Sequence, residues 1–115
     1  ANTGKIMLKD SRPKRDFIYI DDVINAYIKA INYSSIGVEA FNLGSGVSTS
    51  IKGLTEIILK HFDKDVSVLF SEERRKNEVL ETLADIKKAR NLLTWEPVVP
   101  IDEGILRIMK VSKCH

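Results

Sequence analysis

The side chains best equipped for chemistry in this 115-residue chain are arginines. Arg15 follows the basic, proline-containing stretch Arg12-Pro13-Lys14 and precedes an apolar run. A guanidinium presents a fixed fork of N–H donors that matches a phosphate group, so Arg15 is a candidate phosphate ligand. The plainer alternative is a surface arginine paired with Asp10 or Asp16. Arg74, Arg75 and Lys76 form a second basic cluster, read either as an anion-capturing loop or as a solvated charge run. Glu78 and Glu81 could serve as ligands or bases, but neither has a histidine or second carboxylate at a useful spacing. Gly44-Ser45-Gly46 matches neither the dinucleotide-binding fingerprint nor the P-loop, and reads as a structural strand-to-helix turn. His61 and His115 are isolated, so no metal site is assigned. No serine or threonine has the histidine context of a nucleophile, and no catalytic residue is assigned.

Positioning these groups requires regular elements. Ile6-Met7-Leu8 and Val66 to Phe70 predict strands, as do Phe17 to Ile20 and Val38 to Leu43. Asp21 or Asp22 is expected to cap a helix whose apolar face is Val23, Ala26, Tyr27, Ala30 and Ile31, ending near Ser34 to Gly37. Ser48 to Ser50 caps a second helix with Ile51, Leu54, Ile58 and Phe62 buried. Ser71 to Asn77 is a charged loop, and Glu78 to Leu83 is extended. Asp85 starts a short helix burying Ile86, Ala89, Leu92 and Leu93. Trp95 is a packing anchor. Pro97 and Pro100 bracket an extended link, and a last helix from about Asp102 buries Ile105, Ile108 and Met109. The alternation of short strands and helices predicts an α/β fold.

The chain is 43% apolar and 30% charged, with a net charge of +2. That charge is too small, and too interleaved with acids, to argue for nucleic acid or an anionic membrane. A single cysteine, Cys114, excludes an intrachain disulfide and fits a reducing cytoplasm. No run is apolar enough to span a bilayer, and no signal-peptide pattern is present. Ala1 in place of an opening methionine fits a processed or truncated end.

Three segments taken in order carry a resemblance. Arg15-Asp16-Phe17-Ile18-Tyr19-Ile20-Asp21-Asp22-Val23 resembles the "RDF-(V/I)-(Y/H)-V-D-D-V" signature of the extended short-chain dehydrogenase/reductases. Phe41-Asn42-Leu43-Gly44-Ser45-Gly46 is similar to their "(Y/F)-N-(I/L)-G-(S/T)-G" turn. Leu83-Ala84-Asp85-Ile86-Lys87-Lys88-Ala89, with Leu93, Trp95 and Pro97, resembles "x-A-D-x-x-K-A-x-x-x-L-G-W-x-P", with Thr94 replacing the usual glycine. The match runs from about Gly4 to Met109. It implies the C-terminal part of an NAD-dependent nucleotide-sugar epimerase or dehydratase: a small mixed α/β substrate-binding lobe with an incomplete Rossmann portion.

By that resemblance, Arg15 contacts the nucleotide diphosphate. Arg75-Lys76-Asn77-Glu78 falls on the family's "R-x-G-D" segment, which makes Arg75 a second diphosphate ligand. Glu78 then stands where an aspartate holds the ribose. The family's Gly-x-x-Gly-x-x-Gly and Tyr-x-x-x-Lys do not occur, so NAD is expected to be held by a half outside this chain, with none bound by this chain alone. The chain is therefore expected to be catalytically silent. Its expected partner is a UDP- or dTDP-linked sugar. Residues of about 22–46 are expected to pack on the NAD-binding domain, and without it the chain is expected to self-associate as a homo-oligomer or swapped dimer. The competing reading is a stand-alone nucleotide-binding or interaction module without catalysis. A structural or RNA-associated relative is a third.

Overall fold

In the computed structural model, which describes residues 4–62 and 65–113, short extended runs form strands where a neighbouring run can supply their backbone partners. Strand β1 (Gly4–Leu8) pairs in parallel with β4 (Val66–Phe70), with Ile6 opposite Val68. Strand β2 (Lys14–Asp16) pairs antiparallel with β3 (Ser48–Ser50), with Arg15 opposite Thr49. Beside Lys14 the chain returns once more: the Lys14 amide donates to Leu80 O at 2.7 Å, and the Thr82 amide donates to Lys14 O at 3.1 Å. Around these strands lie helices α1 (Ile20–Ile31), α2 (Ile51–Lys60), α3 (Lys87–Leu93) and α4 (Ile101–Lys113). The mixed α/β class is as expected. Cys114 and His115 lie outside the described residues.

Several expected elements are displaced. The strand expected over Phe17 to Ile20 sits earlier, at Lys14–Asp16, because only there do β3 and Leu80–Thr82 lie alongside. Val38 to Leu43 forms no strand: among the described residues no strand pairs with its backbone, and its Phe41 instead meets Tyr33 edge-on, with ring centroids 5.6 Å apart. Helix α1 starts at Ile20 with Tyr19 in the cap position and no side-chain cap. Asp21 and Asp22 lie in its first turn, where negative charge suits the helix dipole. The Asp22 carboxylate is engaged elsewhere, accepting from the Val98 and Val99 amides, each at 3.0 Å. Ser50 does cap α2, accepting from the Gly53 amide at 2.9 Å, and Asp85 accepts from the Lys87 amide at the start of α3.

The core is small. Ala26, Ile86, Ala89, Leu93 and Trp95 form it, with Ile18, Tyr33, Phe41, Leu43 and Ala84 packed around. Trp95 is its anchor: the ring is buried, and Nε1 donates to Asp22 O at 2.9 Å, satisfying its one polar atom. Only part of the expected helix faces is covered. On α1 the small Ala26 is buried toward α3, while Tyr27 is 62% and Ile31 82% exposed. Together with Ile20, Ile24 and Ile28 they form an apolar stripe open to solvent. On α2, Ile51 and Leu54 are half-buried, whereas Ile58 is exposed, as is Phe62, which lies past the helix's end at Lys60. Leu92 and Ile108 are exposed as well. The shape explains this. The chain is a plate of 56 × 39 × 18 Å with a radius of gyration of 17.4 Å, against about 13 Å for a compact domain of this length. A plate that thin cannot cover both faces of its helices.

Helix α3 ends on Thr94 in the left-handed region, φ 53° and ψ 42°, where the Trp95 amide turns back to Ala89 O. A β-branched residue is strained there, which accounts for the glycine of the related motif. Replacing Thr94 by Gly is expected to raise the unfolding free energy by about 1 kcal/mol, read as a higher urea midpoint with an unchanged slope.

Candidate functional site

Parallel pairing of β1 with β4 places the segments that follow them side by side, at the carboxyl ends of the strands, where open α/β sheets commonly bind ligands. The Ser71 amide donates to Leu8 O at 2.9 Å, and Ser11 Oγ donates to Glu72 Oε1 at 2.7 Å. The first amides of α2 fasten the same loop from below: Ile51 N donates to Pro13 O and Lys52 N to Ser11 O. Asp10 and Arg12 close it into a clasp. Asp10 Oδ1 accepts from Arg12 N and Nε, and Oδ2 accepts from Nη2 at 3.0 Å. That side-chain hydrogen bond, with the backbone one, holds the Asp10 carboxyl below its ordinary 3.8. The clasp's contribution is therefore complete above that value and fades only as pH falls through the lower folded value.

Between these loops lies a cavity of about 430 Å³ with Leu8, Pro13 and Ile51 among its apolar walls. Its cations are Lys9, Arg15 and Arg75. The structure thus brings both candidate phosphate ligands, remote in sequence, to one cavity, and Glu78 lines it as well. Arg15 is held firmly: Nη1 donates to Lys14 O and Val79 O, each at 2.8 Å, and Nη2 donates to Glu78 Oε1 at 2.7 Å. Its carboxylate partner is therefore Glu78, and neither Asp10 nor Asp16. Arg75 has no ion-pair partner among the described residues. It sits on the exposed loop after β4, where Glu72 and Asn77 have φ of 57° and 59°. Asn77 stands where the related motif has glycine. Asparagine is the side chain best tolerated in that region, so the turn survives the replacement.

Sequence reasoning missed the role of Asp16. Its Oδ1 accepts from Ser45 N and Ser45 Oγ, both at 2.6 Å. Its Oδ2 accepts from Gly46 N at 3.1 Å and Ala84 N at 3.3 Å. The glycine-rich turn does cradle an anion, and the anion is the chain's own carboxylate. The signal was the adjacency of Asp16 to Arg15 within one motif. Gly44-Ser45-Gly46 is structural, as expected, though it precedes strand β3 rather than a helix. Asp16 therefore occupies the concave side of that turn. Glu81 accepts from Ser48 Oγ at 2.7 Å and braces β3. His61 pairs with Asp102 at 3.1 Å, joining α2 to α4. Among the described residues no group of three His, Cys, Asp or Glu is placed to hold a metal, and no helix is long and apolar enough to cross a membrane.

Fold and cavity define a thin mixed α/β unit with a cleft, lined by three cations and three carboxylates, at the ends of two parallel strands. Residues 1–108 match the family described as GDP-mannose 4,6 dehydratase. The chain belongs to this family of extended short-chain dehydrogenase/reductases, as the three ordered segments implied. It is 37% identical over 105 residues to a UDP-glucuronate 4-epimerase of Thermodesulfobacterium geofontis, covering 90% of this chain and 32% of that protein. It is 35% identical over 101 residues to a dTDP-4-dehydro-6-deoxyglucose reductase of Escherichia coli, covering 88% of this chain and 31% of that protein. Among solved structures it resembles the UDP-glucuronic acid 4-epimerase of Bacillus cereus in complex with UDP-glucuronic acid and NAD. That likeness has a TM-score of 0.78 and 28% identity, and covers 96% of this chain and 35% of the other. The chain spans about a third of the length of these relatives.

Gly44 is the tightest point of this arrangement. A Cβ there would lie 2.5 Å from both Ala84 Cβ and Asp16 Oδ2. Gly44→Ala is therefore expected to lower stability by about 3 kcal/mol, as overpacking combined with a broken hydrogen-bond hub. Urea denaturation followed by Trp95 fluorescence measures it.

Proposed function

We propose that this chain is the nucleotide-sugar-binding part of an NAD-dependent sugar epimerase or dehydratase, similar to UDP-glucose 4-epimerases. In this reading it is the C-terminal region of the intact enzyme. The observation that carries the reading is the convergence of Arg15 and Arg75 on one cavity, in a chain of this family. Two guanidinium groups facing one space suit the two phosphates of a nucleoside diphosphate. Binding the diphosphate at a distance from the sugar orients the reacting carbon, so the energy of that contact serves catalysis performed elsewhere in the protein. Glu78 falls at the position where the family pattern has its ribose-binding aspartate, and it lines the same cavity.

NAD chemistry supplies the hydride step in such enzymes, and in this reading the cofactor is held by residues outside this chain. The chain's own contribution is binding and orientation. Residues of about 22–46 pack against the NAD-binding part. The exposed stripe of α1, with Ile36 and Val38 fully exposed beyond it, supports that reading. With that part absent, a second copy covers the stripe; a clean monomer in light scattering at high concentration would refute this.

The function is tested by titrating UDP into the purified chain. Binding is expected, weakened at least tenfold in Arg75→Ala, since a charge-assisted phosphate contact contributes about 1.5–3 kcal/mol. Affinity should also fall as salt rises. The same preparation is expected to turn over no nucleotide sugar. UDP binding unaffected by Arg75→Ala, or epimerisation by the chain alone, would overturn the corresponding half of the proposal.

A further inference from the structure

The pairing of charges inside the cavity leads past the family pattern. Among its lining residues the carboxylates are Asp10, Glu73 and Glu78. Asp10 is neutralised by Arg12, which lies outside the lining. Glu73 meets Lys9 at 3.6 Å, with both side chains 66% exposed, a loose contact. Glu78 is different. Its side chain is only 19% exposed, and its Oε1 lies 2.7 Å from Arg15 Nη2, whose side chain is 31% exposed.

The geometry at Arg15 gives that pair a consequence. A guanidinium grips an anion bidentately along one of two edges, the end-on edge of Nη1 with Nη2 or the side-on edge of Nε with Nη2. Nη1 is already donating to two backbone carbonyls, Lys14 O and Val79 O, which closes the end-on edge. The side-on edge shares its Nη2 with Glu78. An anion placed there would lie against the Glu78 carboxylate, and like charges at such a spacing repel strongly where water is partly excluded.

We propose that Glu78 is a built-in competitor for Arg15 and a specificity determinant of the cavity: a phosphate-bearing ligand gains Arg15 only by displacing the Glu78 carboxylate. The proposal rests on the reading of this cavity as a diphosphate site. Arg75, unpaired among the described residues, makes the first contact, and Arg15 follows by exchanging one anion for another. A singly charged carboxylate gains nothing from such an exchange, because it replaces its own equal. A multiply charged phosphate chain, held by Arg75 and Arg15 together, does gain. Glu78 thus raises the charge threshold for entry. This differs from a ribose acceptor, whose removal would weaken nucleosides and leave phosphates alone.

The deciding experiment is calorimetric titration of inorganic pyrophosphate, which has no ribose, and of UDP, into the purified chain and its Glu78→Gln variant. Glutamine keeps the length and an acceptor oxygen but removes the charge. The expected result is pyrophosphate binding about tenfold tighter in Glu78→Gln, the size of a partly buried charge contact. The gain should vanish when Arg15→Ala is combined with it, in a double-mutant cycle. Glu73→Gln, which removes the same charge from the same cavity but leaves Arg15 paired, is expected to gain about twofold at most. Unchanged or weaker pyrophosphate binding in Glu78→Gln, or an equal gain in Glu73→Gln, overturns the proposal. So does a failure of both proteins to bind pyrophosphate. If UDP binds the unaltered chain and is lost in Arg75→Ala while pyrophosphate ignores Glu78→Gln, the nucleotide site stands and only the competitor role falls. Unaltered thermal melting of Glu78→Gln confirms that it is folded.

Discussion

A carboxylate partly withdrawn from water needs donors, and the donors that Asp16 finds determine how this lobe is assembled. Its two oxygens take four hydrogen bonds: three from the turn at Ser45 and Gly46, and one from the Ala84 amide. Three stretches of chain far apart in sequence therefore meet at one side chain. Arg15 is its immediate neighbour on β2, so the hub also fixes the backbone from which the cavity's best-anchored cation projects. Gly44 belongs to the same constraint, because the backbone passes Asp16 and Ala84 too closely for any side chain.

Asp22 does for the other end of the lobe what Asp16 does for the middle. Its carboxylate holds the Val98 and Val99 amides, and its carbonyl takes the indole N–H of Trp95. The proline-bracketed link is thereby fastened across the start of α1, with Trp95 sealing the core beside it. Both aspartates use their acceptors mainly on backbone amides rather than on a cation. The result is a plate secured by two carboxylate hubs and a handful of buried apolar residues, with much of its apolar surface still turned to solvent.

The cleft owes its existence to the parallel pairing of β1 with β4, which brings the clasped loop of Asp10 and Arg12 next to the charged loop after β4. One of these loops is firmly braced and the other is exposed and carries two left-handed residues. Arg15 and Arg75 consequently differ in character. The first is pinned by two carbonyls and a carboxylate, and the second stands without an ion pair among the described residues. Two cations of equal formal charge are thus unequal partners for an anion.

Much of this was legible in the chain itself. The mixed α/β class, strands β1 and β4, the Ser50 cap, the anchoring role of Trp95 and the family followed from residue type, period and ordered motifs, because those are local properties. The departures from the motif's glycines at Asn77 and Thr94 were legible too, while the left-handed backbone that both residues adopt emerged only from the structure. What tertiary structure alone decided were the partners. Period could not say that Val38 to Leu43 would lack a neighbouring strand, since a strand exists only by pairing. It could not say which apolar side of α1 would be covered, since burial depends on what packs opposite. Nor could any local rule assign Glu78 to Arg15, Asp16 to the glycine turn or Asp22 to Val98 and Val99. Those choices depend on which groups the folded chain brings within about 3 Å of one another, and that distance is set by the whole fold.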